Sequence, residues 1–234
     1  MREKKMAQQQ KEIIQKKQLS LAMLCGILGC FCYGGGDWLM MYGDSAHTGS
    51  LIWLTQGTAQ IAAWRNGLAM ALAFPGIIFY GTALFYLGKF IKEKKEQKIY
   101  HYLNAFGLTP WLCLHLFYIM ILYAYAWMNG NGYQDMALPV CEALFTHLSW
   151  IIYVSEAFML PVFLYWFYVV AFGRTVLLKW VAAGNVLVFY CILTGIKSLL
   201  PDNAFRLAFT NGLMSESMIF FFLLIWIVGM KRKW

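Results

Sequence analysis

Residues 20–42 read SLAMLCGILGCFCYGGGDWLMMY and contain one charged side chain, Asp37. A helix over this stretch is about 34 Å long at about 1.5 Å per residue, enough to cross about 30 Å of hydrocarbon. The run is too long for the apolar region of a cleavable signal and lacks a clear small-residue exit, so it reads as a first membrane span. Near its far end three glycines, Gly34 to Gly36, lead straight into the acid.

Working outward, the pattern recurs. Of the 234 residues, 61% are hydrophobic and 13% charged, about half the charge of a soluble domain. Further apolar runs at 66–90, 104–128, 147–171, 175–197 and 212–230 are each long enough to span. The expected fold is all-α: one six-span transmembrane helix bundle over residues 20–234, preceded by a basic arm over 1–19. Residues 51–64, LIWLTQGTAQIAAW, are too short and mixed to span and suit a short interfacial or re-entrant helix, with Trp53 and Trp64 at headgroup level. MNGNGYQD at 128–135 reads as an exposed turn. The six cysteines show no metal-ligand spacing and read as small buried hydrophobes.

Charge then orients the bundle. The chain has 19 Lys and Arg against 11 Asp and Glu, and sixteen of the basic residues fall in four segments. These are the N-terminal arm, GKFIKEKKEQK at 88–98, the turn holding Arg174 and Lys179, and the terminal KRKW. In a six-span chain all four lie on one side, leaving Arg65, Lys197 and Arg206 for the other. This is the positive-inside asymmetry, so both termini are expected in the cytoplasm and the chain in the plasma (inner) membrane. The basic excess is topogenic on this reading, and nucleic acid is not an expected partner.

An ionisable side chain inside the bilayer is costly and marks a functional site by default. Asp37, His115, Glu156 and Glu216 qualify. Counted from the basic ends of their spans, they stand at heights of about 25, 17, 22 and 21 Å, a layer about 8 Å thick in the outer half. Tyr33, one turn from Asp37, and Tyr118, three residues from His115, share their helical faces, and Asn185 on the fifth span sits near mid-depth. Asp44, Asp135, Glu142 and His147 are placed around the outer mouth. Each acid taken alone also fits a protonated carboxyl bonded across helices, and His115 alone fits a structural histidine. The common depth favours a shared pocket, with Asp37, His115, Glu156 and Glu216 as catalytic candidates and Tyr33, Tyr118, Asn185, His147, Glu142 and Asp44 as ligand-binding ones.

Such groups supply general acid and base, hold a polar or cationic solute, or carry protons. HExxH, GxSxG and a nucleotide-binding loop are absent from the sequence. No metal ligand set is assigned on residue types alone, and no cofactor is identified. The three glycines are most simply a surface for close helix packing.

Two resemblances follow from short motifs. GGGDWLMM resembles the GDxxL end of a span in lysoplasmalogenase-like membrane proteins, and LHLFYIMIL resembles their histidine-containing span. That likeness implies acid–base duty for Asp37 and His115. GDWLMMYGD, WRNGLAMALAFPG, GRTVLLKW and the LLP closing the following span resemble a group of bacterial integral membrane proteins of unknown function; Leu178 stands where that pattern has proline. This second likeness implies no activity. The function expected is a membrane-embedded lipid hydrolase, with a transporter or solute sensor as the alternative and a structural or accessory protein as the third class. The partners expected are membrane lipids and a small-molecule or lipid ligand.

Overall fold

The first apolar run folds as the second half of one long helix, α1 (Arg2–Met41). The basic arm and the first span are therefore continuous rather than separate elements. The computed structural model of the chain describes residues 2–43, 46, 51 and 53–231. The further helices are α2 (Gln56–Ala59), α3 (Ala63–Leu87), α4 (Lys94–Gly130), α5 (Gln134–Leu148), α6 (Trp150–Ala171), α7 (Val186–Leu199) and α8 (Ala204–Met230). Among the described residues, five helices are long and apolar enough to cross a membrane: α1, α3, α4, α6 and α8.

Two of the expected outer features differ. The interfacial helix within 51–64 is a single turn, α2, closed by a reciprocal Thr55–Thr58 capping box. The turn expected at 128–135 is shorter, because α4 runs to Gly130 and Gln134–Leu148 folds as α5, which packs on α4 and buries Ala137 and Cys141. Its start is set by the turn at Gly132, whose φ of 87° suits glycine.

The fifth expected span, 175–197, is the largest departure. It is a 3₁₀ segment, Lys179–Gly184, followed by α7 of 14 residues. The chain leaving α6 first turns back along the end of the bundle. Gly173 takes φ +70°, where any Cβ would meet the Lys179 side chain at 2.9 Å. Lys92 Nζ donates to Gly173 O at 2.8 Å, and Val176 N donates to Phe90 O at 2.8 Å. Arg174 pairs with the buried Glu96, and this bond holds the guanidinium pKa above its ordinary value. GRTVLLKW is thus a clasp tying the α3–α4 connection to the α6–α7 connection.

The same end of the bundle gathers the early part of α1 and the end of α8. Lys89 Nζ donates to Gln18 Oε1 at 3.3 Å, and Trp226 Nε1 to Ser20 Oγ at 3.0 Å, so the early part of α1 meets the ends of α3 and α8. We call this the basic end. α1 packs on α3 and α8, α4 on α3, α5 and α6, and α7 on α8. Two apolar clusters form: one toward the basic end around Tyr80, Tyr100, Trp166 and Phe222, the other toward the opposite end around Met40, Trp53, Phe117 and Tyr125. Asp37 lies where they adjoin, between Tyr33 of the first cluster and Met40 of the second.

Candidate functional site

Asp37 and His115 meet. The His115 Nδ1 lies 3.5 Å from Asp37 Oδ1, joining α1 to α4. The glycines before Asp37 allow the approach. A Cβ on Gly36 would lie 3.3 Å from His115 Nε2 and 3.5 Å from Ala69 of α3, and one on Gly34 would lie 3.1 Å from Ser215 of α8. Gly35 has open space around it. Two of the three glycines thus let neighbouring helices close on the acid.

Beneath the pair, toward the basic end, lies an aromatic floor. The Tyr33 ring sits 4.4 Å from the imidazole and 5.1 Å from Tyr80, which stacks on Trp111 at 4.9 Å. Tyr80 OH donates to Ser215 Oγ at 3.2 Å, completing a layer across four helices. Tyr33 and Tyr80 are fully buried.

Toward the opposite end, Asp37 and His115 line a cavity of about 270 Å³ with Trp53, Tyr118, Tyr190 and Asn211. Its walls come from α1 and α4 on one side and from α7 and α8 on the other. Among the described residues, α7 packs on α8 and on the 3₁₀ segment but makes no extensive contact with α4 or α6. The cavity therefore lies beside a lateral seam in the bundle.

Of the four expected acid–base groups, Asp37 and His115 share this cavity. Glu216 lies against Trp38, the residue after Asp37 on α1, yet it lines a different recess, of about 480 Å³, on the other face of the α1–α8 contact. Its Oε1 accepts from Trp38 Nε1 at 3.3 Å, and Gly212 leaves room for that bond. Glu156 is exposed on α6 and does not line the cavity. The four-residue cluster expected from equal heights is therefore a pair, a neighbour and an outlier, because height along a helix leaves the direction of each side chain open.

The expected ligand-binding residues also divide. Tyr33 packs in the floor and Tyr118 lines the cavity, its ring 5.5 Å from Trp53. Asn185 is buried but committed to backbone. Its Oδ1 accepts from Leu187 N and its Nδ2 donates to Phe163 O, both at 3.0 Å, so it caps α7 and ties it to α6. His147 is exposed at the end of α5, and Glu142 is half-buried on the same helix; neither lines the cavity. Asp44 falls outside the described residues. Tyr190, Thr210 and Asn211 in the cavity and Trp38 in the Glu216 recess were not expected, although the polar run TNGLMSES at 210–217 is a visible signal within an apolar span.

Three buried polar atoms, Tyr33 OH, His115 Nε2 and Glu216 Oε2, have no hydrogen-bond partner among the described residues. Unpaired buried polar atoms are uncommon and point to a water or ligand. Among the described residues, no group of three or more His, Cys, Asp and Glu side chains is placed to hold a metal ion. Asp37 is the more exposed member of the pair, so the carboxyl faces the cavity and the imidazole backs it.

Over residues 6–232 the sequence matches a family of unknown function, DUF6796. The chain belongs to that family. The match takes in α2 to α8 whole and α1 from its fifth residue on, and it adds no activity. No curated protein and no solved structure matches the chain, so the likeness to lysoplasmalogenase-like proteins rests on its two short motifs alone.

Proposed function

We propose that this family member is a membrane-embedded hydrolase acting on a lipid headgroup, with Asp37 as general base and acid and His115 holding it in place. One observation carries the reading: a carboxyl–imidazole pair on a small cavity that is closed toward the basic end and adjoins a lateral seam. Asp37 takes a proton from a bound water as that water attacks the headgroup bond. The same proton then passes to the leaving oxygen as the bond breaks. A positioned acid–base group of this kind contributes about 10²–10⁴-fold to rate.

The topology that suits this reading has six crossings with both termini in the cytoplasm of a plasma (inner) membrane. The 3₁₀ segment and α7 together rise about 33 Å, enough for one crossing between them. The clustering of Lys89, Lys92 and Arg174 near Gln18 and Ser20 supports a common cytoplasmic side.

The test is lipid turnover by the purified protein in vesicles made from a total membrane lipid extract, followed by mass spectrometry. The wild type is expected to deplete one lipid class and release a water-soluble headgroup fragment. Asp37→Asn is expected to lose at least about 10²-fold of that rate at unchanged melting temperature. Identical lipid profiles for the two proteins would sink the hydrolase. A second reading, capture of a small organic cation, is favoured by the aromatic rings of Trp53, Tyr118 and Tyr190 lining the cavity with Asp37; saturable, Asp37-dependent binding of tetramethylammonium without lipid turnover would support it.

A further inference from the structure

The recess that Glu216 lines has a chemistry of its own. It is a groove of about 480 Å³ whose apolar wall includes Trp38, Leu39, Leu72 and Phe209 and whose charged side chains are Arg65 and Glu216. It lies away from the Asp37–His115 cavity, because α1 and α8 present opposite faces to the two spaces: Asp37, Met40 and Met41 to one, Gly35, Trp38 and Leu39 to the other.

Arg65 stands in the first turn of α3, at the end away from the basic segments, and is partly exposed. Its Nη2 donates to Tyr42 O at 3.0 Å and to Trp38 O at 3.5 Å, which pins the guanidinium over the last turn of α1. Glu216 lies deeper, nine-tenths buried, with Oε1 on Trp38 Nε1 and Oε2 unpartnered. Cation and carboxyl are thus separated by the span of one tryptophan residue. A fixed guanidinium at headgroup level suits a phosphate, which it binds through paired N–H groups. The unpartnered Oε2 below it calls for a ligand hydroxyl, which can donate to a carboxylate or accept from a protonated carboxyl. Leu39, Leu72 and Phe209 continue the groove as a surface for an alkyl chain. A diacyl lipid with both backbone glycerol hydroxyls esterified has no hydroxyl on the chain side of its phosphate, where Glu216 lies, and a purely cationic amphiphile meets the Arg65 charge.

We propose that this groove binds a single-chain lipid phosphate bearing a free hydroxyl beside its headgroup, with the phosphate on Arg65, the hydroxyl on Glu216 and the chain along Leu39, Leu72 and Phe209. The inference is independent of the hydrolase reading, since it concerns the other face of the α1–α8 wall and is read by binding alone.

The test uses a matched pair of probes, dodecyl phosphate and 2-hydroxydodecyl phosphate, titrated against the full-length protein in detergent and followed by native mass spectrometry. The hydroxylated probe is expected to bind about tenfold more tightly, the effect of one hydrogen bond to a charged group. Glu216→Met is expected to bind both probes with equal affinity, whereas Arg65→Gln is expected to weaken both alike and keep their ratio. Leu39→Trp, which narrows the groove without touching either polar group, is expected to weaken both probes. Equal affinity of the two probes for the wild type, or a ratio unchanged in Glu216→Met, overturns the proposal. Unaltered binding in Leu39→Trp overturns it as well, and keeps it falsifiable should Glu216→Met fail to fold.

Discussion

At the residue scale, the decisive feature is how little space surrounds Asp37. Its partner His115 is held by Tyr33 on one face and by the bare backbone of Gly36 beside Nε2. Gly76 of α3 supports the same arrangement from behind, since a Cβ there would lie 2.6 Å from Tyr33 Cδ2. Gly76→Ala must move the Tyr33 ring and is expected to cost about 1–3 kcal/mol, the usual penalty for overpacking a filled interior. Gly35→Ala, with nothing within 4 Å of the new methyl, is expected to stay within about 0.5 kcal/mol of wild type. Thermal unfolding of the detergent-solubilised protein compares the two. Equal losses would mean that the Tyr33–Gly76 contact does not constrain the site. The motif GGGD was legible as a packing surface, but which glycine faced which helix was not. Three adjacent residues point in three directions about 100° apart, and only the neighbours decide which of them matter.

At the element scale, the departures from the expected spans have local causes. α7 begins at Val186 because Asn185 caps it and anchors it to Phe163. Asn185→Ala removes both bonds at a buried position and is expected to cost about 1–3 kcal/mol. Since this anchor holds the basic-side end of α7 against α6, the same variant is expected to widen the seam beside the cavity, raising the reactivity of a cysteine introduced at Tyr190 toward a maleimide. Unchanged stability and reactivity would show that the cap does not position α7. The clasp at the basic end has a parallel test. Glu96→Gln removes the charge that Arg174 neutralises and is expected to lower the melting temperature, whereas Lys95→Gln, on an exposed side chain, leaves it unchanged. The sequence signalled a GRTVLLKW turn but not its partner, because the pairing with Phe90–Lys92 joins residues more than eighty positions apart.

At the scale of the whole molecule, the number of crossings turns on α7. Five helices meet the length and hydropathy of a span, and α7 completes a sixth only together with the 3₁₀ segment before it. Six crossings place Asp202, between α7 and α8, on the side opposite Lys95. In a cysteine-free background, Asp202→Cys is expected to react with an impermeant maleimide from outside intact cells and Lys95→Cys only after lysis. Protection of both, or labelling of both, would overturn the six-span topology. The sequence by itself determined that the chain is an all-helical membrane bundle, which segments are apolar, and that the basic residues gather in four places. Those properties depend on composition along the chain and on helix rise, which are local. The tertiary structure alone decided that Asp37 meets His115, that Glu216 turns to a separate groove, that Glu156 faces outward and that Asn185 is spent on a cap. Those outcomes depend on the rotation of each helix about its axis and on which neighbour closes against it, and a single sequence carries height but not azimuth.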